Sequence, residues 1–117
     1  MILSLPYPPT SNKYWRVVNG RMVLSRDGRK YKRVVPLLAK VQKCGPAFEG
    51  PVVLTVTVYR PIKRGDLSNR LKVLEDALQG VAYLNDEQVV EIHMRRREDP
   101  KNPRAVVTIE QFRDEGV

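Results

Sequence analysis

The sequence predicts one α/β (α+β) domain over residues 1–117, in which two main helices pack on a mixed β-sheet. Two runs of apolar residues recur at helical spacing, and runs rich in β-branched residues separate them. A chain of 117 residues is long enough to bury a single hydrophobic core. Its content of 42% hydrophobic and 29% charged residues is typical of a globular protein rather than a disordered one.

The first part of the chain predicts a strand followed by a β-ribbon. Residues 1–5 alternate weakly and lead into the proline-rich stretch PYPPTSN, which favours a loop. In WRVVNGRMVL, Asn19 and Gly20 separate two short apolar runs, the pattern of a two-residue hairpin.

The first main helix is predicted to begin at Ser25 and to stop at Gly45. Its apolar face consists of residues at helical spacing: Tyr31, Val34, Val35, Leu38 and Val41. The run GPVVLTVTVYRP follows; because it is rich in β-branched residues and bounded by prolines, it predicts a central strand that ends at Arg60.

The second main helix and a closing hairpin complete the predicted fold. Leucines at i, i+4, i+7 and i+11 give the helix one apolar face, and Gly80 suits its C-terminal cap: Leu67, Leu71, Leu74 and Leu78. The run QVVEIHMRRRE alternates as a strand does, and RAVVTIEQF is expected to pair with it as an antiparallel hairpin across DPKNP.

The charge of the chain indicates an anionic partner. The formal net charge of +8 favours nucleic acid, although a ribosome or a membrane surface would also fit charge alone. Cys44 is the only cysteine, so the sequence excludes an internal disulfide and a zinc cluster of thiolates. No stretch has the length or composition of a signal peptide or a membrane span, and we expect a soluble, cytoplasmic protein.

Two acids near the second helix are the candidates for chemistry. Asp66 stands at its N-terminal edge and Asp86 in the later turn LNDEQ, where they could be an ordinary helix cap and an ordinary turn residue. Lys72 and Asp76 lie four residues apart, which favours a solvated ion pair. If the fold brings Asp66 and Asp86 together near Lys72, the two carboxylates would suit Mg²⁺ and the lysine would stabilise a phosphodiester transition state. Spacing alone leaves that convergence open.

Several stretches of the sequence resemble the motifs of a known protein family. LPYPPTSNKYWR, LSRDGRKYKRVV and the spacing from RGDLSNRLK to DALQGVAYLNDEQVV are similar to the RusA family of Holliday junction resolvases, endonucleases of bacteria, phages and prophages. The resemblance implies a homodimer that binds branched, four-way DNA in recombination and repair, and nicks two strands using Mg²⁺, with Mn²⁺ as a substitute. It also implies that Asp66, Lys72 and Asp86 are catalytic and that Asp66 and Asp86 bind the metal.

The chain departs from the family pattern at Ser68. The family motif D-L-D-N has its second carboxylate there, and a serine hydroxyl is a neutral, weaker ligand. Asn85 likewise occupies a position that is often acidic, while Glu87 and Asp76 are candidate helpers. We expect that the chain retains cleavage activity but requires a higher concentration of the metal ion. The alternative is a junction-binding protein without efficient cleavage; a general nucleic-acid-binding module would leave the acid spacing unexplained.

Several polar residues are predicted to contact DNA phosphates or to lie at the edge of the site: Lys13, Arg16, Lys63, Arg64, Asn69, Arg70, Arg95 and Arg97. Tyr14 and Trp15 could stack on exposed bases, but the core is the favoured place for them. His93 is expected to be an exposed sheet residue and not a general base.

Overall fold

Two helices pack on one face of a mixed four-stranded sheet in the computed structural model, which describes residues 1–61 and 67–113. In chain order the elements are β1 (Ile2–Pro6), α1 (Ser11–Tyr14), β2 (Trp15–Val18), β3 (Arg21–Leu24), α2 (Arg26–Val41), β4 (Val52–Arg60), α3 (Leu67–Leu78), a 3-10 turn (Asp86–Gln88), β5 (Val89–Glu98) and β6 (Arg104–Gln111). The predicted class, with a mixed sheet and two main helices, is confirmed. No helix in the described ranges is long and apolar enough to cross a bilayer.

The strand order of the sheet is β1-β6-β4-β5. β4 runs parallel to β5 and antiparallel to β6, and β6 runs antiparallel to β1. β4 is therefore an internal strand, as the sequence predicts. Because β4 and β5 are parallel, α3 and the segment after it form the crossover that returns the chain to the starting end of the sheet.

The predicted hairpin between the last two strands is wrong, because β4 lies between β5 and β6. The connection crosses the end of β4 instead: Asp99 donates its backbone N–H to Arg60, and the Arg104 guanidinium lies 3.8 Å from the centre of the Tyr59 ring. Glu98 forms an ion pair with Arg60 at 3.6 Å. The arrangement leaves β5, the strand with the most charged residues, at the edge of the sheet, where its side chains reach water.

The core lies between the sheet and the two long helices. Every second residue of β4 from Val52 to Val58 is fully buried, and the same alternation runs along β6. Four residues of α3 cover this surface: Val73, Leu74, Ala77 and Leu78. From α2 the buried side chains are Tyr31, Val35 and Ala39. A helical stripe facing the alternating face of a sheet is what the periodicity predicts.

The β-ribbon forms as predicted. Asn19 and Gly20 adopt positive φ values of 52° and 75°, and β2 pairs with β3 in antiparallel register. The sequence did not indicate the short helix α1, which follows the proline-rich segment. Thr10 caps it by accepting a hydrogen bond from the Lys13 N–H, so that one helical turn replaces the predicted loop.

Helix α2 begins after its predicted cap and ends early. The Ser25 hydroxyl accepts a hydrogen bond from the Gly28 N–H at 2.9 Å. The helix ends at Val41, before the predicted stop at Gly45, and the next residue turns its side chain to the sheet. The Gln42 amide both accepts from the Ser4 N–H and donates to the Ser4 carbonyl, each at 2.8 Å. Gln42 thereby satisfies backbone groups of the edge strand β1.

At Gly28, helix α2 lies close to the backbone of the preceding chain. A Cβ atom at this position would stand 2.1 Å from the Tyr14 carbonyl oxygen, which also accepts the Ser25 N–H at 2.8 Å. The junction of α1 and α2 therefore requires a residue without a side chain at position 28.

We predict that Gly28→Ala lowers the free energy of unfolding by about 1–3 kcal/mol, because backbone must move to admit the methyl group. Urea unfolding followed by circular dichroism measures the change. Gly50→Ala is the matched control, since a Cβ there meets nothing within 4 Å and should change stability by less than about 0.5 kcal/mol. Equal effects of the two substitutions would contradict the close approach.

Candidate active site

A cleft of about 200 Å³ runs along α3. It is lined by Trp15, Lys72, Glu75, Asp76, Gln79 and Asp86. Three of these residues lie on α3 and Gln79 directly follows its last residue, and their spacing of three and four places them on one side. Trp15 comes from the start of β2 and Asp86 from the 3-10 turn. Three elements distant in sequence thus place one lysine and three carboxyl groups together.

The parallel pairing of β4 and β5 decides where Asp86 lies. β5 begins at Val89, which pairs with Val52 at the beginning of β4, so the turn before it lies at the end of the sheet opposite Arg60. Asp86 consequently lies in the cleft with Glu75, in the second half of α3, and with Gln79, which follows that helix. The structure thus brings Asp86 into one cleft with Lys72. Asp66 lies outside the described residues, and its meeting with Asp86 stays a prediction.

Gln88 fixes the turn that carries this acid. Its Oε1 accepts hydrogen bonds from the backbone N–H groups of Leu84 and Asn85 at 2.8 and 2.9 Å. Its Nε2 donates to the carbonyl oxygens of Phe48 and Gly50, both at 2.8 Å. One side chain therefore joins the turn to the segment that leads into β4, and sequence reasoning missed it.

Asn85 caps the same turn. Its Oδ1 accepts a hydrogen bond from the Glu87 N–H at 2.9 Å, and the Gln88 side chain completes a capping box. The spacing Asn-x-x-Gln is the signal in the sequence that could have indicated this cap. Glu87 is exposed and is not among the residues that line the cleft.

Asp76 is neutralised by residues from two other helices. The Tyr14 hydroxyl donates to Asp76 Oδ2 at 2.5 Å, and Lys32 Nζ lies 3.1 Å from the same oxygen. The expected ion pair of Asp76 with Lys72 is wrong, because α2 packs against α3 and supplies a nearer amine. Burial, followed by the hydrogen bond to Asp76, raises the pKa of Tyr14, so its hydroxyl remains a donor. Asp76 therefore joins α1, α2 and α3.

Glu75 is the carboxyl group in the cleft that sequence reasoning did not single out. It is half-buried, and its backbone carbonyl accepts the Tyr83 hydroxyl at 2.7 Å. Burial, and after it the charge of Asp86, raise the pKa of Glu75. Both carboxyl groups line the same cleft. The available signal was its spacing, three residues after Lys72 and seven after Ser68 on the same side of the helix.

The start of α3 is joined to the N-terminal segment. Asn69 Oδ1 accepts a hydrogen bond from the Ser11 hydroxyl at 2.6 Å. Arg70 Nη1 donates to the Pro8 carbonyl at 2.6 Å, and its guanidinium lies 4.7 Å from the centre of the Tyr7 ring. Both side chains thus hold the proline-rich segment in place. Their predicted contacts with DNA stay predictions, and the structure adds a positioning role.

The other predicted DNA contacts fall on two sides of the sheet. Lys13 and Arg16 are exposed on α1 and β2. Arg95 and Arg97 are exposed on β5, in register with β4 residues whose side chains alternate away from the core, on the face without helices. These four described residues therefore do not form a single surface around the cleft. Lys63 and Arg64 lie outside the described residues.

The remaining aromatic and histidine predictions are confirmed. Tyr14 is fully buried, and Trp15 is half-buried against it with the ring centres 4.6 Å apart and the planes at 82°. His93 is exposed on β5, where its Nε2 lies 2.9 Å from Glu91 Oε1.

A larger cleft of about 450 Å³ lies between the proline-rich segment and α2. It is lined by apolar residues together with Lys13, Lys30, Asp27 and Arg70. Among the described residues that line it, Asp27 is the only acid, whereas the smaller cleft places three carboxyl groups beside Lys72. The smaller cleft is therefore the better candidate for chemistry.

The carboxyl groups of the smaller cleft suit a hydrated cation. Within residues 1–61 and 67–113, no group of three or more His, Cys, Asp or Glu side chains is arranged to hold a metal. Asp86 and Glu75 nevertheless provide two carboxylates, and Mg²⁺ commonly takes one or two with waters and substrate oxygens. This donor set fits Mg²⁺ held partly by water and phosphate, rather than an all-protein cage.

Comparison with known proteins agrees with the family that the motifs resemble. The profile of the family described as endodeoxyribonuclease RusA matches residues 6–110. The chain belongs to the RusA family. Relatives named crossover junction endodeoxyribonuclease RusA occur in Enterobacteria phage 82, Escherichia coli K12 and Shigella sonnei Ss046. Each is 30% identical over 115 residues, which is 97% of this chain and 96% of the relative.

Membership of the RusA family confirms the resemblance and the endodeoxyribonuclease class that it implied. It does not favour the alternative of a protein that binds junctions without cutting them. The charge-only interpretation, a general nucleic-acid-binding module, is replaced by a specific family.

We predict that Gln88→Ala lowers the free energy of unfolding by about 1–2 kcal/mol, because four hydrogen bonds at the turn are lost. Amide hydrogen exchange should also quicken at residues 84–88. Gln111→Ala, at the exposed end of β6, is the control and should leave both quantities unchanged. Unchanged exchange in Gln88→Ala would show that the turn does not depend on this side chain.

We further predict that Tyr14→Phe destabilises the fold by about 1–3 kcal/mol, since Asp76 loses a charge-assisted hydrogen bond from a buried hydroxyl. Chemical denaturation measures the difference. Tyr7→Phe removes a hydroxyl without a hydrogen bond to the described residues and serves as the control. A loss in Tyr14→Phe no greater than that in Tyr7→Phe would count against the network.

Proposed function

We propose that this chain is a Mg²⁺-dependent endonuclease that cuts four-way DNA junctions. Its membership of the RusA family gives the reaction class, and relatives bear the name crossover junction endodeoxyribonuclease. The observation that carries the proposal is the meeting of Lys72 and Asp86 in one cleft, although 13 residues separate them. A lysine beside carboxylates, in a chain of net charge +8, is suited to phosphodiester hydrolysis.

In this proposal, carboxylate groups bind the Mg²⁺ ion. Asp86 in the cleft and Asp66, which lies outside the described residues, are the proposed ligands, and the Ser68 hydroxyl is a weaker candidate. When bound, Mg²⁺ would activate water and neutralise negative charge on the phosphodiester, and Mn²⁺ should substitute for it. Asp86 is exposed, so solvent and a DNA strand can both reach it.

Lys72 stabilises the transition state in this proposal. Its side chain is exposed in the cleft, and Asp76, four residues later, already has Lys32 as its cationic partner. The Lys72 ammonium group is thus available to a phosphate oxygen, where its charge offsets the negative charge that develops during hydrolysis. Trp15, from the start of β2, also lines the cleft.

Binding of DNA rests on charge, and dimerisation rests on the symmetry of the substrate. Exposed Lys13 and Arg16 are the proposed phosphate contacts beside the cleft, and Arg95 and Arg97 are contacts on the other side of the sheet. Paired nicks on a two-fold symmetric junction require a two-fold symmetric enzyme, which supports a homodimer. A dimer would also allow both basic sides to contact one branched substrate. Chromosomal and phage DNA lie in the bacterial cytoplasm, where we expect the enzyme to act.

The test is cleavage of a labelled four-way junction and of the matching linear duplex, each with Mg²⁺, Mn²⁺ or EDTA. We expect paired nicks on the junction that require metal. A junction-selective mobility shift without nicks would instead support the binding-only alternative. Equal affinity for the junction and the duplex would overturn the proposed specificity.

We predict that Lys72→Ala lowers the rate of junction cleavage by about 100- to 1,000-fold, because the transition state loses its stabilising charge. Asp86→Asn should reduce the rate of cleavage by at least about a hundredfold. Loss of a direct metal ligand is expected to lower activity more than loss of a residue that only hydrogen-bonds to a ligand. Both variants should still bind the junction. Lys101→Ala and Glu110→Gln, matched in charge and exposed elsewhere, are controls that should cut normally. Full activity of Lys72→Ala would remove that residue from the mechanism.

A further inference from the structure

We propose that Glu75 supplies to the metal site the carboxylate that position 68 lacks in this chain. The inference rests on the proposed function, because it assumes that the cleft binds a divalent cation. It assigns a role to a residue that the motif D-L-S-N does not contain.

The first step is the position of Glu75. It lines the cleft together with Asp86 and Lys72, the two described residues that the proposed chemistry uses. The Tyr83 hydroxyl holds its backbone carbonyl at 2.7 Å, and Tyr83 is fully buried just before the turn that carries Asp86. The backbone of Glu75 is therefore fixed relative to the chain that leads into this turn.

The second step is the state of the three carboxyl groups in the cleft. Asp76 already has a cation and a hydroxyl, Lys32 and Tyr14, on one oxygen. The ion pairs and side-chain hydrogen bonds within the described ranges include none at the carboxylates of Glu75 and Asp86. Both carboxylates line the same cleft of about 200 Å³, where their like charges repel each other. A divalent cation between them would replace this repulsion with two attractions.

The third step is the choice among the acids. Asp76 and Glu87 were the helpers that the sequence offered. Asp76 is occupied by Lys32, and Glu87 lies outside the cleft lining, so neither is as well placed as Glu75. Ser68 precedes Glu75 by seven residues, two helical turns, so both positions face the same side of α3. The serine at position 68 removes one negative charge from this side of the helix, compared with the family motif D-L-D-N. A carboxylate at position 75 can restore that charge.

The test is a cycle of four proteins: the natural chain, Glu75→Gln, Ser68→Asp and the double variant. Mn²⁺ is titrated into each protein without DNA, and the loss of the electron paramagnetic resonance signal of free Mn²⁺ gives the affinity. We expect Glu75→Gln to weaken Mn²⁺ binding about tenfold or more, and Ser68→Asp to recover most of that loss in the double variant. Junction cleavage should require correspondingly more Mg²⁺ in Glu75→Gln.

Two controls separate a ligand from a structural residue. Glu110→Gln removes one negative charge outside the cleft and should leave Mn²⁺ affinity within about twofold of the natural chain. Glu75→Asp keeps the charge but shortens the side chain, and its affinity should fall between those of the natural chain and Glu75→Gln. Circular dichroism checks that each variant is folded, and a Glu75→Gln protein that does not fold leaves Glu75→Asp as the deciding variant.

The outcomes distinguish this inference from the proposed function. Metal-dependent cleavage by the natural chain, with Mn²⁺ affinity unchanged in Glu75→Gln and Glu75→Asp, overturns the role of Glu75 alone. Natural protein that neither binds Mn²⁺ nor cuts the junction overturns the proposed function and the inference with it. Weakened binding in Glu75→Gln that Ser68→Asp restores supports both.

Discussion

Strands β4 and β5 run parallel, and a parallel pair requires a crossover that carries the chain back to the starting end of the sheet. Here the crossover contains α3 and the 3-10 turn, so the helix that bears Lys72 and the turn that bears Asp86 are joined in one unit. The pairing places Asp86 beside the second half of α3. The geometry of the cleft therefore follows from the direction of one strand pair.

Polar side chains hold this unit where hydrophobic packing alone would leave it loose. Gln88 joins the turn to the segment before β4, and Asp76 joins α3 to both other helices through Lys32 and Tyr14. Each contact is worth only about 1–3 kcal/mol, but each is directional and fixes an angle that apolar contacts do not. The carboxylate of Asp76 therefore has a structural role. Among the described residues that line the cleft, the acids left for a cation are Asp86 and Glu75.

Much of the fold was predictable because its signals are local. The Asn19-Gly20 turn, the Ser25 cap and the leucine spacing of α3 each depend on neighbours in sequence. The partner of β5 was not predictable. An alternating strand followed by a short turn has the same sequence pattern whether it pairs with the next strand or with an earlier one. Asp76 was misassigned to Lys72 for the same reason, because its true partner, Lys32, lies on another helix.

The sequence by itself determined the family, the class of reaction and the acids and lysine on which the proposed chemistry depends. These are carried by residue types at fixed spacing, such as Lys72 six residues after Asp66, which need no knowledge of distant contacts. Only the tertiary structure decided that Asp86 shares a cleft with Lys72 and Glu75 and that Arg70 holds the proline-rich segment. These facts depend on strand order and helix packing, which bring together residues that spacing along the chain cannot relate.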